Sequence, residues 1–387
     1  MMKKFSYIAI FFILSITMVA SAQDDDLSML QQEAMTTYAD IVFASYDDSL
    51  MAATDLHDAI EAFLADPSEE TLQAARDAWR ASNEPYGQTE AYRFYGGPID
   101  DEDGPEGLLN AWPLDEAYID YVEGDEDAGI INNVDEYPTI DAELLVSLNE
   151  VGAEENISTG YHAIEFLLWG QDLSADGSGD RPFTDYTTAD NAERRAAYLD
   201  TAADLLLSDL ELLVDEWNPE GEDNYRVTFL ASDPDEAFTN ILTGIGVLAT
   251  AELAGERMFV AYDNQDQEDE HSCFSDNTHR DVITNFMGIA NVYLGEYTRL
   301  DGTVVSGTSI ADVVEAVNPD LNADILATIE ETDTLSQDIF VPFDQAIVLA
   351  DERPVVLDTV FSLQDLGDLF AQAGSELGLV INTALPE

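Results

Sequence analysis

His162 and Glu165 are the residues of this chain whose types and spacing best suit metal chemistry. They lie three positions apart in the apolar run GYHAIEFLLWG at 160–170, and the chain has only four histidines. Positions i and i+3 share one face of an α-helix, so the imidazole and the carboxylate point the same way. Together they offer nitrogen and oxygen ligands to a metal ion. The alternative is a hydrogen-bonded pair that satisfies itself on a half-buried helix, and the spacing leaves both interpretations open.

The motif lacks the second histidine of the zinc peptidases. Their helices carry H-E-x-x-H or the inverted H-x-x-E-H. Here Phe166 follows Glu165, and no H-E-x-x-H occurs elsewhere in the chain. Peptide hydrolysis would therefore need a distant third ligand and a separate base. We expect no metal-dependent cleavage of unstructured peptides.

Four ordered blocks of the sequence resemble the imelysin family, the group of iron-regulated protein A and the insulin-cleaving membrane protease. The family hallmark is G-x-H-x-x-E, which Gly160, His162 and Glu165 match. The other blocks are Trp79 with Pro85-Tyr86, Glu90, Arg93-Phe94 and Asn110-Ala111-Trp112-Pro113-Leu114; then Gly255-Glu256-Arg257-Met258; then His271-Ser272-Cys273-Phe274-Ser275-Asp276-Asn277-Thr278. The resemblance covers nearly all of the chain beyond its N-terminal segment.

The resemblance implies an all-α protein of two helical-bundle domains, with the G-x-H-x-x-E site near their interface. It also implies a role in iron uptake, through similarity to EfeO-type periplasmic iron-uptake proteins. The metal would be divalent or trivalent, iron first and zinc as the alternative. Sequence alone does not choose between them, because nitrogen and hard oxygen ligands suit both.

Two ligands leave a metal site incomplete, so other blocks must complete it. Glu90 and Asp276 are the first choices, with His271 behind them, since each lies in a matching block. Each has a simpler interpretation. Glu90 and Arg93 could form a surface ion pair, and Ser275 or Asp276 could be the N-cap of the following helix.

The N-terminus predicts export. Residues 1–22 have a basic start, an apolar stretch and the small-residue cleavage site Ala20-Ser21-Ala22, which are the parts of a secretory signal peptide. We therefore expect a protein of the periplasm or cell envelope that is not transmembrane after cleavage. The remaining chain is too long for one simple bundle, and we place the domains at 23–180, carrying G-x-H-x-x-E, and 181–387.

The acidic composition excludes some partners and predicts others. The formal net charge is −68, and the loss of Lys3 and Lys4, the only lysines, with residues 1–22 would make it −70. No basic face exists to meet nucleic-acid phosphates. An even spread of acids with 46% hydrophobic residues indicates a folded protein adapted to high salt rather than a disordered one. The acidic loops near 100–104 and 172–185 lack the full calcium-binding spacing of an EF-hand, so we interpret them as solvated loops.

Helical periodicity dominates, and no sustained strand alternation appears. Ser68 should cap a helix that Pro85 kinks or ends, and Gly170 should end the hallmark helix. Residues 95–140, rich in Gly, Pro, Asp and Asn, should form a long irregular excursion. The other predicted helices cover 27–65, 141–150, 157–169, 189–217, 234–262, 276–298, 309–317, 321–338, 343–351 and 355–380.

The leading hypothesis is an exported metal-binding protein that captures iron or presents it to an envelope iron-transport component. The alternative is an imelysin-type metallopeptidase in which Glu165 acts as ligand or base on a metal-bound water. A third interpretation is a structural envelope protein whose His162–Glu165 pair binds nothing. The missing second histidine favours the first hypothesis over the second.

The charge generates a prediction about salt. Self-repulsion of about 70 negative charges destabilises a compact fold, and 1 M salt shortens the Debye length to about 3 Å and screens it. The melting temperature, followed by circular dichroism, should rise steeply from low to molar KCl. A melting temperature that stays flat across this range would contradict the high-salt interpretation.

Overall fold

The computed structural model describes the backbone of residues 6–385 and the side chains of residues 26–385. The predicted signal peptide, residues 1–22, thus lies outside the residues described in full. The α-helices are α1 (Ser6–Ala65), α2 (Glu69–Thr89), α3 (Glu106–Leu109), α4 (Glu116–Ile119), α5 (Gly129–Asn132), α6 (Ala142–Leu148), α7 (Gly160–Trp169), α8 (Ala192–Trp217), α9 (Tyr225–Ala231), α10 (Pro234–Val247), α11 (Val260–Asn264), α12 (Thr278–Leu294), α13 (Ile310–Val317), α14 (Pro319–Gln337), α15 (Phe343–Val348) and α16 (Arg353–Glu376).

The all-α prediction is confirmed, with one small hairpin as the departure from it. Strands β1 (Glu296–Thr298) and β2 (Val304–Ser306) pair antiparallel, with Tyr297 opposite Val305. Three residues a strand are too few for an alternation that sequence reading can detect. The hairpin packs on α1, where buried Tyr297 donates from its hydroxyl to Asp48 Oδ2 at 2.9 Å.

The helices pack around one continuous hydrophobic core. α1 lies along α2 and α8, α12 packs against α2 and α14, and α16 packs against α10 and α14. Buried aromatic side chains fill this core, among them Trp79, Trp169 and Trp217. Elements from both sides of the predicted boundary at residues 180 and 181 are thus in contact, and the division into two domains remains a prediction.

α2 begins as its sequence predicts and ends later. The Ser68 hydroxyl accepts from the Thr71 amide at 3.3 Å, while Thr71 Oγ1 accepts from the Ser68 amide, which forms a capping box. The expectation was that Pro85 kinks or ends the helix. α2 does not end there, because it runs through Pro85 to Thr89. The extra turn carries the chain to Glu90, the first residue of a 3-10 turn over Glu90–Tyr92.

The predicted helix over 234–262 exists and contains a π-helical segment, Leu248–Phe259, between α10 and α11. Glu252 and Arg257, five residues apart, pair within it at 3.0 Å. The stretch Pro234–Asn264 is, among the described residues, the one helix long and apolar enough to cross a membrane, with a mean hydropathy of 1.4. Its burial against the other helices, 67% of the apolar window, fits a core helix.

α7 carries the hallmark residues and is fixed at both ends by glycine. Gly160 has φ +84°, and a Cβ there would lie 2.5 Å from the Leu109 carbonyl oxygen, so the first glycine of G-x-H-x-x-E lets α3 pack against the start of α7. Gly170, at φ +70°, ends the helix as predicted. α2 also holds α7 in place, because the Trp79 indole donates to the Tyr161 carbonyl at 2.9 Å.

Gly160→Ala therefore tests how α7 is positioned. Gly124 also has positive φ, +87°, but nothing lies within 4 Å of a Cβ built there. Gly124→Ala therefore measures only the free-energy cost of placing an alanine at positive φ, roughly 1 kcal/mol. In urea denaturation, Gly160→Ala should lower the unfolding free energy by clearly more than Gly124→Ala, because the clash with Leu109 adds to the cost of positive φ. Equal losses in the two variants would mean that the α3 contact does not fix α7.

Candidate functional site

The His162–Glu165 pair lies in the core. Their side chains are 2% and 0% exposed, and His162 Nδ1 lies 3.0 Å from Glu165 Oε2. The other carboxylate oxygen, Oε1, accepts from the Ser275 amide at 2.9 Å and from its hydroxyl at 2.6 Å. Burial raises the pKa of Glu165, and the hydrogen bonds from His162 and Ser275 oppose that shift. Glu165 thus joins α7 to the segment that precedes α12.

His271 forms a second buried pair of the same design. Its Nδ1 lies 2.9 Å from Asp281 Oδ2, and both side chains are 4% exposed. The Ser272 hydroxyl donates to Asp281 Oδ2 at 2.6 Å, and Asn83 Nδ2 on α2 donates to Oδ1 at 2.9 Å. These bonds fix the carboxylate, and the carboxylate in turn fixes the imidazole ring.

The two imidazoles are in edge-to-face contact. The ring centroids of His162 and His271 are 4.5 Å apart, with the planes at 87°. In each ring Nδ1 is bonded to a carboxylate, while Nε2 is buried and has no hydrogen-bond partner among the described residues. An ionised carboxylate only accepts, so Nδ1 carries the proton of the neutral ring and Nε2 carries the lone pair.

Burial and a neighbouring positive charge keep His271 neutral. Burial first, and then the positive charge of Arg257, lowers the pKa of His271 well below its ordinary value. Its Nε2 lone pair is therefore retained at pH values at which an exposed imidazole is protonated. Trp112 shields the ring from one side at a centroid distance of 5.7 Å, and its indole donates to the Glu270 carbonyl at 3.0 Å.

Glu90 is a buried, ionised carboxylate rather than part of a surface pair. Its Oε2 accepts from Arg93 at 2.7 Å and from Arg257 at 2.6 Å, while Oε1 has a longer 3.3 Å bond from Asn110. Burial alone would raise the pKa of Glu90, but Arg93 and Arg257 outweigh it and lower the pKa to about 2; His271 contributes in the same direction. A cavity of about 270 Å³ lies against both arginines.

Asp276 lies apart from this cluster. It has φ +56° and lines a cavity of about 480 Å³ together with Arg80, Glu84 and His279. Burial, with Asp172 and Asp344, raises the pKa of Asp276 to about 7. The structure therefore brings together His162, Glu165, His271 and Glu90, while Asp276 lines a separate cavity. The assignment of all five as metal ligands remains a prediction.

The interpretation of Ser275 or Asp276 as a helix cap is wrong. α12 begins at Thr278 and its N-cap is Asn277, whose side chain makes no cap bond. Ser275 instead bonds Glu165, and its carbonyl accepts from Arg80 at 2.9 Å. The backbone turns sharply at Asp276, which directs Ser275 inward and away from the helix end.

A separate group of ligand-type side chains lies on the surface of α1. His57, Asp58 and Glu61 have ligand atoms that all lie within 4.8 Å of one another. His57 also bonds Asp204 of α8, with Nε2 to Oδ1 at 2.9 Å. Asp58 and Glu61 are exposed, and exposed acidic groups of this kind are common in so acidic a chain, so this group serves as a reference for the buried one.

Comparison with known proteins agrees with this architecture. The imelysin family profile matches residues 42–370. The chain belongs to the imelysin family. Iron-regulated protein A of Synechococcus elongatus is 27% identical over 292 residues, 73% of this chain and 69% of that protein.

Two solved structures share the imelysin fold. One is a candidate iron-regulated protein A precursor from Parabacteroides distasonis, with TM-score 0.71, 20% identity and coverage of 90% of this chain and 95% of that one. The other is an imelysin-like protein from Psychrobacter arcticum, with TM-score 0.64, 13% identity and coverage of 92% and 98%. At these identities the likeness shows the fold alone.

Sequence reading missed the residues that orient the imelysin-family motif. Asp281 lies ten positions after His271 and has no periodic relation to it. Arg257, the partner of Glu90, is 167 positions away from it, and only its place in a family block pointed to it. These residues meet through the packing of α2, α7, α12 and the π-helical segment, which no local pattern encodes.

Glu90→Gln tests the buried ion network. The pKa of Glu90 falls from the ordinary 4.5 to about 2 on folding, so its stabilisation is fully present above pH 4.5 and is lost as the pH drops toward 2. At pH 7 the variant should lose roughly 3 kcal/mol of unfolding free energy, because Arg93 and Arg257 stay buried without their counter-charge.

Glu84→Gln is the matched control. Glu84 pairs with Arg280 at 2.7 Å, but the two side chains are 39% and 32% exposed, so the loss should be below about 1 kcal/mol. Urea unfolding in 1 M KCl at pH 7 and pH 3 measures both variants. A Glu90→Gln deficit that does not shrink at pH 3 would contradict the depressed pKa.

Proposed function

We propose that this protein is an exported metal-binding protein that captures iron in the cell envelope as a step of iron uptake. One observation carries the proposal: two buried imidazoles are in edge-to-face contact, and each has an Nε2 without a partner among the described residues. Buried polar atoms are normally satisfied, and an orphan needs an explanation. A bound metal ion supplies one for both nitrogens at once.

The donor set fits iron. Each imidazole has a carboxylate on Nδ1, Glu165 for His162 and Asp281 for His271, the arrangement that orients metal-binding histidines and raises their basicity. Glu90, whose charge acts on His271, is the candidate for a third ligand through Oε1, its less engaged oxygen. Two imidazoles and one carboxylate suit Fe(II), and Zn(II) is the competing ion.

The sequence predicts Glu165 as a metal ligand; we propose instead that it orients His162 and does not bind the metal itself. Its two oxygens already accept three hydrogen bonds, from His162 and from the amide and hydroxyl of Ser275. A carboxylate engaged in this way suits a positioning role better than the general base of a peptidase, which must be free to take a proton from water. The metallopeptidase alternative is therefore not favoured.

The residues of the proposed site come from both parts of the chain. His162, Glu165 and Glu90 lie before residue 180, whereas His271, Asp281 and Arg257 lie after it. We infer that the site lies between two helical domains divided near that residue. A relative movement of the two parts would separate the imidazoles, which offers a route for releasing iron to an envelope transport component.

Iron and export are supported by the relatives. One is called iron-regulated protein A and another is described as a precursor, and the N-terminal 22 residues of this chain have the parts of a signal peptide. Iron would be the cargo of this protein, taken up and passed on. Periplasm or cell envelope is the location that agrees with both points.

The histidine site generates a matched pair of variants. His162→Ala removes one of the two unpartnered Nε2 atoms and should lower the affinity for Fe(II) or Zn(II) by about 100-fold or more. His57→Ala, in the surface group, should leave it unchanged. Calorimetric titration of chelator-treated protein at pH 7 in 1 M KCl measures both, because the salt suppresses weak binding by surface carboxylates.

The opposite pattern, with affinity lost in His57→Ala and retained in His162→Ala, would place the metal on α1. The same preparations, incubated with an unstructured peptide, address the alternative function. Chelator-sensitive cleavage that disappears in Glu165→Gln would establish the metallopeptidase.

A further inference from the structure

The cavity of about 270 Å³ beside the Glu90 ion network is lined by side chains that contact the candidate site. Trp112 and Asn110 both lie on its wall. The Trp112 ring lies against the His271 ring, with the centroids 5.7 Å apart, and Asn110 Nδ2 donates to Glu90 Oε1 at 3.3 Å. The wall of this cavity, which we call the vestibule, therefore contacts two of the proposed ligands, one imidazole and one carboxylate.

Acidic side chains dominate the vestibule wall. Its charged residues are Arg93, Arg257, Glu106, Glu150, Glu154 and Glu252. The two arginines are already neutralised, because they pair with Glu90, Glu106 and Glu252. Glu150 and Glu154 are exposed, and within residues 26–385 no arginine pairs with either of them. A cleft with excess negative charge raises the local concentration of cations and the rate at which they arrive.

One part of the vestibule wall is π-helical. Glu252 and Arg257 both belong to the segment Leu248–Phe259. A π-helix repeats every five residues rather than every four, so two residues five apart lie on one face and both reach the cavity. Helical turns of this type are rare and occur frequently at functional sites.

Trp112 separates the vestibule from His271. Its half-buried ring lies on the cavity wall and contacts the imidazole. One hydrogen bond fixes the indole, from Nε1 to the Glu270 carbonyl at 3.0 Å. Trp112 lies in the chain between α3 and α4, so its side chain can move without the unpacking of a helix.

The cavity of about 480 Å³ that Asp276 lines is the competing entrance. Ser275 also lines it and bonds Glu165 Oε1. That cavity therefore meets the site at a carboxylate whose other oxygen bonds His162 Nδ1. The vestibule is favoured, because Trp112 contacts an imidazole whose Nε2 has no partner among the described residues.

We propose that the vestibule is the entrance to the metal site and that Trp112 is its gate. A cation attracted by the acidic wall would pass when the indole moves away from His271, and the closed indole would retain the bound ion. The proposal rests on the proposed function, because it assigns a route to the same site. Trp112 would set the rates of uptake and release without being a ligand.

Metal-exchange kinetics test the gate. A side chain that only blocks the route slows uptake and release equally, so its removal changes both rates and leaves their ratio, the dissociation constant, nearly unchanged. In 1 M KCl, Trp112→Ala should raise the association and dissociation rate constants of Zn(II) by about tenfold each. Stopped-flow competition with a chromogenic chelator measures both constants.

Trp112→Phe is the milder variant, which decides the question if Trp112→Ala does not fold. It keeps a ring against His271 and loses the hydrogen bond to the Glu270 carbonyl, so both rate constants should rise by about threefold. Wild-type rates in the folded variants would overturn the gate. An increase confined to dissociation would also overturn it, because Trp112 would then stabilise the bound ion rather than block its route.

The double variant Glu150→Gln/Glu154→Gln tests the acidic wall. Loss of these charges should lower the Zn(II) association rate constant by about threefold in 0.5 M KCl and leave dissociation unchanged. The matched control is Glu123→Gln/Glu126→Gln, which removes two exposed glutamates from the cavity of about 540 Å³. Equal effects of the two double variants would overturn the vestibule as the entrance, because net charge alone would then explain them.

Chemical modification separates the gate from the proposed function. Diethyl pyrocarbonate reacts with accessible neutral imidazoles, and mass spectrometry of peptides assigns the modified histidine in metal-free protein. His271 should react faster in Trp112→Ala than in wild type, whereas His57 on the surface of α1 should react alike in both. A wild type that binds no Zn(II) would overturn the proposed function, and equal His271 rates in the two proteins would overturn the gate.

Discussion

The candidate site depends on one interaction used twice, the hydrogen bond from an imidazole Nδ1 to a buried carboxylate. Glu165 holds His162 and Asp281 holds His271, so each Nε2 is left buried and without a hydrogen-bond partner among the described residues. The surrounding helices serve this arrangement. Gly160 lets α3 pack against the start of α7, and Ser275 ties Glu165 to the chain before α12. Rotation of either ring would cost its carboxylate bond.

Positively charged residues are scarce in this chain, and most of them lie in the interior. Lys3 and Lys4 lie in the predicted signal peptide, and the other eleven basic residues are arginines. Within residues 26–385 most arginines donate to buried carboxylates, as at Glu90 and Asp120, or to main-chain carbonyls. Arg226 and Arg280 instead pair with exposed carboxylates, Asp40 and Glu84. The arginines that stabilise the buried network are not available at the surface, so little positive charge remains there to balance the acidic side chains. This shortage is the physical reason for the predicted dependence of stability on salt.

Local sequence signals predicted the parts of the site that are local. The i, i+3 spacing identified His162 and Glu165, and the Ser68 cap and Gly170 stop were readable because each acts within one helical turn. Three other features could not be predicted from the sequence, because each joins segments that only the packed core brings together. They are the bond from Asp281 to His271, the inward turn of Ser275 and the Glu90–Arg257 pair. The passage of α2 through Pro85 is a similar case, because tertiary contacts override the local preference of proline.

In the proposed site, one metal ion is bound by the Nε2 atoms of His162 and His271. X-ray absorption spectroscopy at the iron edge, on protein loaded with one equivalent of Fe(II) in 1 M KCl, measures the ligands directly. We expect two imidazole ligands with oxygen ligands in the remaining positions, and the loss of one imidazole in His162→Ala. An oxygen-only shell, or two imidazoles that persist in His162→Ala, would contradict it.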